Sequence, residues 1–361
     1  MKKITLLLLI CMFFMFAVAN INANDSANMQ TNNLAKVAVS AKSSILIEAK
    51  TGKILYSGNS NVKIPIASTT KIMSTILTLE SGNLDNEFVV DSDAIKIDGS
   101  TMGLTFGDVV TKRVLCYGMM LPSGNDGANA AAVRVAGSIP KFVQLMNEKA
   151  EELGLSHTYY TSPSGITDDG GSSAYDLAML ARYAMQNELF REICSTQRAK
   201  VRFGNPPYER YLENTNKLLT DYPGAIGIKT GFTDLAGRCL VSAAERNGVR
   251  LICVTLNDRN DWADHMNLYN AAFSMLKPVT VDKPENLAVN VVGGVRESAE
   301  VTYDGELTIG AANGLVLGEI TYELKVQPFV YADSVKSGGR AGVIEFYLGD
   351  LLVERFELRY R

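Results

Sequence analysis

The sequence predicts an α+β protein in which a mixed domain, an antiparallel sheet carrying a helical lobe, is followed by a small all-β domain. Three observations carry this prediction. Two apolar runs flank a glycine turn between residues 44 and 56, which predicts a hairpin near the start of the chain. The section that follows has mostly helical apolar spacing, and strand patterns return near Ala225 and continue to the end.

The helical section is predicted from apolar residues that recur every three to four positions. A first helix begins near Ser68 and runs through Leu79, and Pro140 opens an amphipathic helix that stops at Gly154. The helices predicted after the first span residues 109–120, 126–136, 140–153, 173–185 and 261–276. Most of these helices form the lobe that interrupts the sheet.

Strands are predicted on both sides of this lobe. Residues 225–233 form a short strand containing glycines. The runs 239–244 and 249–256 flank an Asn-Gly pair, which is a strong hairpin signal. We therefore expect the first hairpin and these late strands to share one mixed sheet.

The last part of the chain consists of short alternating runs separated by glycine-rich or Asp/Gly turns, which is typical of a small all-β domain. These runs cover residues 287–292, 319–326, 343–348 and 351–358. Pro278 to Pro284 is the expected linker. The sequence thus divides into a signal peptide at 1–23, a mixed domain at 24–278 and a β-rich C-terminal domain at 279–361.

The first residues have the features of a secretory signal peptide. Met1 to Lys3 carries positive charge, and the apolar run from Ile4 to Ala19 is short. The run ends in Ala-x-Ala, which is one candidate cleavage point, and Ala23 is a second. An uncleaved anchor remains an alternative, although the run is slightly short for a membrane span. We therefore expect an exported, extracytoplasmic protein.

Charge and composition exclude several classes of function. The formal net charge of −4 becomes −6 when the two leader lysines are removed, and a mildly acidic chain without a basic block argues against a nucleic-acid partner. Neither His157 nor His265 lies in a metal-binding motif, so we expect no metal and no cofactor. The cysteines that follow the leader are Cys116, Cys194, Cys239 and Cys253. They lack C-x-x-C spacing and are expected to be buried thiols, although an exported chain could pair two of them.

The stretch from Ile64 to Lys71 places a serine and a lysine three residues apart at the start of the first helix. A serine there most often caps the helix, but a capping box would then have Glu or Gln at the position of Lys71. The positive helix end disfavours a cation, so it pushes the amine towards its neutral, basic form. Because the spacing puts both side chains on one helical face, Ser68 and Lys71 are candidates for a nucleophile and its base.

Histidine is poorly placed to act as that base. His157 lies in a turn and His265 on a helical stretch, and neither has the partners of a catalytic triad nearby in sequence. Two later motifs could complete a lysine-based site: Ser123 to Asn125 in a loop, and Lys229 to Gly231 on a strand. Each is an ordinary turn or strand end when taken alone. Their order, and the element on which each lies, support the hypothesis of a serine enzyme.

Four stretches resemble the D-alanyl-D-alanine carboxypeptidases, the low-molecular-mass penicillin-binding proteins of the penicilloyl-serine transferase superfamily of serine peptidases. They are Pro65 to Met73, Leu121 to Asp126, Gly227 to Thr233 and Ala236 to Val241. The resemblance covers roughly Ser43 to Phe273. It implies a β-lactamase/penicillin-binding-protein-like fold for a serine transpeptidase-like catalytic domain, and the β-rich tail is similar to that family's C-terminal domain.

Two departures from the family pattern stand out. Gly127 follows Asp126 where many members have alanine. The chain ends at Arg361 in a strand-like segment, without the amphipathic helix by which members often attach to the membrane. The resemblance therefore leaves membrane association open.

The resemblance implies a role for each matching residue in catalysis. Ser68 would attack the carbonyl between two D-alanines and form an acyl-enzyme, and Lys71 would accept the proton of Ser68. Ser123 would pass a proton to the departing amine, and Asn125 would hold substrate amides. No metal is implied.

The strand motif is implied to bind the substrate. Lys229 and Thr230 would bind its free carboxylate, and Gly231 would leave room for the peptide to lie along the strand as an added β-strand. The backbone N–H of Phe232, together with that of Ser68, would form the oxyanion hole.

The resemblance thus implies a serine DD-carboxypeptidase that removes the terminal D-alanine from peptidoglycan stem peptides in the cell wall and is inhibited by β-lactam antibiotics. Two alternatives remain at this stage. A class A β-lactamase would use a glutamate between the second and third motifs, but residues 153–176 contain no suitable one, and Glu213 lies too close to Lys229. A catalytically silent cell-wall binding protein would use the β domain instead.

Overall fold

A computed structural model describes residues 34, 36–311 and 320–361. The expected signal peptide at 1–23 lies outside these residues. Among the helices that the structure describes, none is long and apolar enough to cross a membrane.

The first part of the chain alternates between strands and helices. In chain order its elements are β1 (Ser43–Glu48), β2 (Ile54–Gly58), a 3₁₀ turn (Ala67–Thr70), α1 (Lys71–Glu80), β3 (Glu87–Val89), β4 (Val109–Thr111), α2 (Lys112–Met120), α3 (Asn125–Ala136), α4 (Ile139–Glu152), α5 (Ala174–Ala184), α6 (Glu188–Ser195), β5 (Arg198–Gly204), β6 (Pro207–Glu213), α7 (Leu218–Asp221), β7 (Ala225–Thr233), β8 (Gly237–Arg246), β9 (Val249–Leu256) and α8 (Asp261–Met275).

A five-stranded antiparallel sheet with the order β2-β1-β9-β8-β7 joins the first hairpin to the late strands. Strand β1 pairs with β9 from Ser43 opposite Leu256 to Glu48 opposite Leu251. All six residues of β1 are buried, because helices cover both faces of the sheet. The prediction that the first hairpin and the late strands share one sheet is confirmed, and all pairings in that sheet are antiparallel rather than mixed.

The helical lobe packs around α1. The side chains of Ile72, Met73 and Ile76 are almost fully buried in the largest apolar core, which α1 shares with α2 and α3. Small residues of α3, such as Ala128 and Ala131, are fully buried and allow close helix contacts. The cysteines within the described residues, Cys116, Cys194, Cys239 and Cys253, are buried free thiols, as expected.

The sequence prediction fails at several places in the lobe, among them the helix α6, which was not predicted. The expected helix at 109–120 begins with a strand, because its β-branched start pairs with β3 and Thr111 instead caps α2 by accepting a hydrogen bond from the N–H of Val114. The hairpin β5–β6 was not predicted, because its exposed face is charged while its inner face packs on α2 and β4.

The C-terminal part is entirely β apart from one 3₁₀ turn in the residues described. Its strands are β10 (Lys277–Thr280), β11 (Ala288–Val292), β12 (Ser298–Thr302), β13 (Thr308–Ala311), β14 (Ile320–Val326), β15 (Val330–Tyr331), β16 (Arg340–Leu348) and β17 (Leu351–Tyr360). Six form a sheet with the order β14-β16-β17-β12-β11-β15, around an apolar core of its own.

The expected linker at Pro278 to Pro284 begins inside a strand, because β10 pairs with β13. The two parts of the chain also touch elsewhere. Arg182 of α5 donates hydrogen bonds to the carbonyls of Lys50 and Leu352, and the Lys50 amine lies 3.2 Å from Glu354. This joint lies at the end of the β1–β2 hairpin.

Candidate active site

Ser68 lies in the 3₁₀ turn that leads into α1, and it does not cap the helix. Its hydroxyl instead accepts a hydrogen bond from the Lys71 amine at 2.8 Å. The preceding residue, Ala67, has a left-handed backbone with φ of +47°, a conformation that costs energy for a residue with a Cβ atom. The ordinary capping interpretation is therefore wrong, and the turn presents Ser68 to the lysine.

The Lys71 amine is fully buried and has three oxygen partners from three parts of the chain. Besides the Ser68 hydroxyl, it donates to the side-chain oxygen of Asn125 at 2.7 Å and to the backbone carbonyl of Ser164 at 2.8 Å. Within the described residues, none of these hydrogen-bond partners is a carboxylate. Lys71 is therefore held in place without a neutralising ion pair.

Burial lowers the pKa of the Lys71 amine well below its usual value. Repulsion by the Lys229 amine lowers that pKa further, and the Asp126 carboxylate opposes both effects. From the sequence, the positive helix end and the charge on Lys229 were both expected to lower this pKa, whereas the larger effect of burial was missed. Burial could not be read from the sequence, because it depends on elements that are distant along the chain.

The three partners also determine the direction of the lone pair on Lys71. A neutral amine has two N–H bonds and one lone pair. The oxygens of Asn125 and Ser164 are carbonyl oxygens and can only accept, so the two N–H bonds point at them. Ser68 alone of the three can donate a proton, and the lone pair therefore faces its hydroxyl.

Asn125 is engaged at both ends of its side-chain amide. Its oxygen accepts from Lys71, and its Nδ2 donates to the carbonyl of Asp98 at 2.7 Å. The structure thus adds a function that the sequence did not predict, namely positioning Lys71. The expectation that Asn125 holds substrate amides is not tested by this arrangement.

Ser123 is buried beside Asn125, in a left-handed backbone conformation with φ of +64°. Within the described residues, its hydroxyl forms no hydrogen bond with Ser68, Lys71 or Lys229. Asn125, two residues further along the same loop, contacts Lys71. The proton-transfer role of Ser123 remains a prediction.

Lys229 lies on β7 with its amine buried, and it donates to the carbonyl of Thr230 at 2.8 Å. Burial lowers the pKa of Lys229 to about 7. The Thr230 hydroxyl shares a 2.6 Å hydrogen bond with the hydroxyl of Thr215. Thr215 in turn donates its N–H to the carbonyl of Leu121, so this contact ties β7 to the start of the Ser123 loop.

Gly231 lies against the backbone of the Ser68 turn. A Cβ atom at this position would be 3.0 Å from the nitrogen of Ser68 and 3.1 Å from the oxygen of Ile66. Glycine was expected to make room for the substrate, and this role remains a prediction. In the structure, the missing Cβ atom lets β7 approach the turn that carries Ser68. The next residue, Phe232, has an exposed side chain (64%), and the role of its backbone N–H in an oxyanion hole remains a prediction.

Asp126 anchors the loop that frames this site. Its carboxylate accepts hydrogen bonds from the backbone N–H groups of Met102, Gly103 and Leu104. It also accepts one from the Thr101 hydroxyl at 2.5 Å. Asp126 could have been singled out from the sequence, because it directly follows Asn125 in the second motif. Ser164 had no comparable signal, because it contributes a backbone carbonyl, which every residue has.

Neither histidine belongs to the site. His265 is buried between the hydroxyls of Ser242 and Thr255, and burial lowers its pKa to about 3. His157 is partly exposed and lies 3.8 Å from Asp176. Across residues 34, 36–311 and 320–361, no group of three or more His, Cys, Asp or Glu side chains is arranged to hold a metal ion.

A serine that is hydrogen-bonded to a buried lysine of lowered pKa, beside the edge strand of an antiparallel sheet, is typical of a serine peptidase of the penicillin-binding class. The family described as D-alanyl-D-alanine carboxypeptidase matches residues 28–260, and the chain belongs to this family.

Individual relatives agree. The chain is 32% identical to the D-alanyl-D-alanine carboxypeptidase DacF of Bacillus subtilis over 333 residues, covering 88% of this chain and 84% of that protein. It is 36% identical to DacB2 of Mycobacterium tuberculosis over 215 residues, 59% of this chain and 73% of that one. The solved Streptomyces K15 DD-transpeptidase has a TM-score of 0.63 at 32% identity, with 66% of this chain and 98% of that chain covered.

These comparisons confirm the predicted fold class and a serine-type D-Ala-D-Ala carboxypeptidase. They do not favour the two alternatives, a β-lactamase or a catalytically silent binding protein.

Proposed function

We propose that this enzyme removes the terminal D-alanine of peptidoglycan stem peptides through an acyl-enzyme on Ser68. The observation that carries the proposal is the Lys71 amine, whose two carbonyl partners leave its lone pair for the Ser68 hydroxyl. Its lowered pKa favours the neutral form of the amine, which is the form that a general base requires.

In the acylation step, the Ser68 proton moves to Lys71 while the Ser68 oxygen bonds to the carbonyl carbon of the penultimate D-alanine. The backbone N–H groups of Ser68 and Phe232 stabilise the oxyanion that forms. The C–N bond then breaks, and the departing D-alanine amine takes a proton from Lys71 through the Ser123 hydroxyl. Attack by water on the ester releases the shortened peptide and restores Ser68.

Lys229 and Thr230 hold the free carboxylate of the substrate in this proposal. The described structure gives the Lys229 amine one hydrogen bond, to the carbonyl of Thr230, so two of the three N–H bonds of the charged amine are available to an anion. A bound carboxylate raises the pKa of Lys229 and keeps the amine charged. This requirement for a free carboxylate makes the enzyme an exopeptidase.

The setting of the reaction is part of the same proposal. The signal-like leader supports export to the cell wall or to the outer face of the cytoplasmic membrane, where peptidoglycan is found. The two apolar cores support a division into a catalytic domain at 24–278 and a β-rich domain at 279–361. β-Lactam antibiotics would acylate Ser68 in place of the peptide.

Intact-mass measurement after incubation with a penicillin tests this proposal. We expect one adduct on the wild-type protein and none on Ser68→Ala, with Ser274→Ala, at an exposed serine of α8, as a labelled control. We also expect the wild type to release D-alanine from a D-Ala-D-Ala peptide. An adduct on Ser68→Ala, or a wild type that remains unlabelled, would contradict it.

A further inference from the structure

The segment of residues 161–170, called here the Ser164 loop, covers the buried amine of Lys71. The carbonyl of Ser164 accepts from Lys71, and the carbonyl of Pro163 accepts from the Ser74 hydroxyl at 2.5 Å. Gly165 packs directly on the nucleophile turn, since a Cβ atom there would be 2.0 Å from the Ala67 oxygen. One half of the loop is therefore attached to the helical lobe.

The other half of the loop is attached to the sheet through one side chain. The Asp168 carboxylate accepts a hydrogen bond of 2.7 Å from the hydroxyl of Thr233, the last residue of β7. The same hydroxyl accepts from the N–H of Ala236 at 3.0 Å, so Thr233 is itself held in place. Within the described residues, this is the only hydrogen bond between the Ser164 loop and the five-stranded sheet.

We propose that the Asp168–Thr233 hydrogen bond is a clasp that keeps the Ser164 loop closed over Lys71, which makes both residues positioning residues for acylation. The inference rests on the proposed roles of Ser68 and Lys71. It assigns the two residues no contact with the reacting atoms. Their effect passes through the Ser164 carbonyl at one end of the loop and the end of β7 at the other.

An open clasp would change the surroundings of Lys71 in two ways. Without the Ser164 carbonyl, one of the two acceptors that direct the lone pair to Ser68 is lost. Water would also reach an amine whose low pKa depends mainly on burial. The charged groups that face this amine, Lys229 from β7 and Asp126 from α3, would then be better screened. The first change misdirects the lone pair, and the second leaves less of the amine in its neutral form. Both make Lys71 less effective as a general base.

The size of the effect follows from the kind of bond. A hydrogen bond to a charged acceptor stabilises more than a neutral one, and its loss shifts a local opening equilibrium by about tenfold or more. We expect acylation by a fluorescent penicillin to slow by about tenfold in Asp168→Ala and in Thr233→Val. We also expect the midpoint of the acylation pH profile to move upwards in both variants, as Lys71 regains part of its usual pKa.

Conservative variants separate the clasp from general loop damage. Thr233→Ser keeps the hydroxyl and should acylate at nearly the wild-type rate. Asp168→Asn keeps the acceptor oxygen but not its charge, so it should lose less than Asp168→Ala. Asp169→Ala removes the neighbouring exposed carboxylate from the same loop and serves as the matched control. In the double variant Asp168→Ala/Thr233→Val, the loss should match a single variant, because both changes break one bond.

The clasp is overturned if Asp168→Ala and Thr233→Val acylate like the wild type, or if their losses simply multiply in the double variant. It is also overturned if Asp169→Ala loses as much as Asp168→Ala. If Asp168→Ala fails to fold, the acylation rates of Thr233→Val, which is isosteric with threonine but lacks the hydroxyl, and Thr233→Ser, which keeps it, are compared instead. These outcomes all presuppose a wild type labelled on Ser68, so an unlabelled wild type marks failure of the proposed function instead.

Discussion

The two lysines of the site, Lys71 at the start of α1 and Lys229 on β7, are both buried, yet their surroundings suit them to opposite tasks. Lys71 has three oxygen partners, whereas the described residues give Lys229 one, the carbonyl of Thr230. Burial lowers both pKa values, and the charge on Lys229 lowers that of Lys71 further.

This difference teaches that hydrogen-bond partners, in addition to burial, decide which lysine acts as base. Two fixed carbonyl acceptors direct the lone pair of Lys71 to a hydroxyl. The less occupied Lys229 keeps N–H bonds for an anion. The different hydrogen-bond partners of these two neighbouring lysines therefore separate their roles.

The largest expected effect comes from changing the base. Lys71→Arg keeps the cation but cannot deprotonate at neutral pH, so acylation by a fluorescent penicillin should slow by about 10²- to 10⁴-fold. Stopped-flow fluorescence measures the rate. Lys112→Arg is the matched control, because Lys112 is a buried lysine bonded to Ser81 away from the site. Retained acylation in Lys71→Arg would remove Lys71 as the base.

Changing the other lysine should affect recognition more than chemistry. Lys229→Gln removes a charged donor for the substrate carboxylate, so kcat/KM for a D-Ala-D-Ala peptide should fall by roughly 10- to 100-fold. The same peptide with a C-terminal amide should be a poor substrate for the wild type. If Lys229→Gln still prefers the free acid as strongly as the wild type does, Lys229 is not the carboxylate site.

A smaller effect is expected where the two regions touch. Gly231→Ala places a methyl group within about 3 Å of the backbone of Ser68 and Ile66, so β7 and the nucleophile turn must separate. Acylation should slow by about tenfold, and overpacking of this kind costs roughly 1–3 kcal/mol of unfolding free energy. Penicillin labelling and thermal unfolding of the same sample check the two effects. Wild-type behaviour in both would show that the contact tolerates the methyl group.

The mildest prediction concerns pH. The pKa of Lys229 is lowered to about 7 in the free enzyme, and a bound carboxylate raises it. Affinity for a carboxylate substrate is therefore full below pH 7, falls as pH rises above the free-enzyme value of about 7, and levels off above the raised pKa of the complex. KM should increase above pH 7 by at most about tenfold per pH unit. A KM that falls over this range would contradict a charged Lys229 in the complex.

The sequence sufficed for the parts of the site that lie in local motifs. Ser68 and Lys71 were found from their helical spacing, and Lys229 from its strand. The partners of Lys71 were missed where they depend on folding: the Ser164 carbonyl has no side-chain identity, and burial requires the complete lobe. Thr215 was also missed as a partner of Thr230, because the β5–β6 hairpin that leads to it was not predicted.

The fold shows the same limit. The five-stranded sheet follows from apolar runs and an Asn-Gly turn, whereas β4 was taken for the start of a helix because its three residues pair only with the distant β3. Strand β10 was taken for a linker since Pro278 interrupts it, yet an edge position next to β13 accepts a proline.

The charge state of Lys71 in the free enzyme tests the central claim most directly. In protein labelled with ¹³C at the lysine Cε, the chemical shift reports protonation of each amine as pH changes. Comparison with Lys71→Arg and Lys229→Arg assigns the two unusual signals. The account predicts that the Lys71 signal titrates well below the usual range of a lysine amine, because burial and the charge on Lys229 lower its pKa. A Lys71 amine that remains protonated up to pH 10 would contradict it.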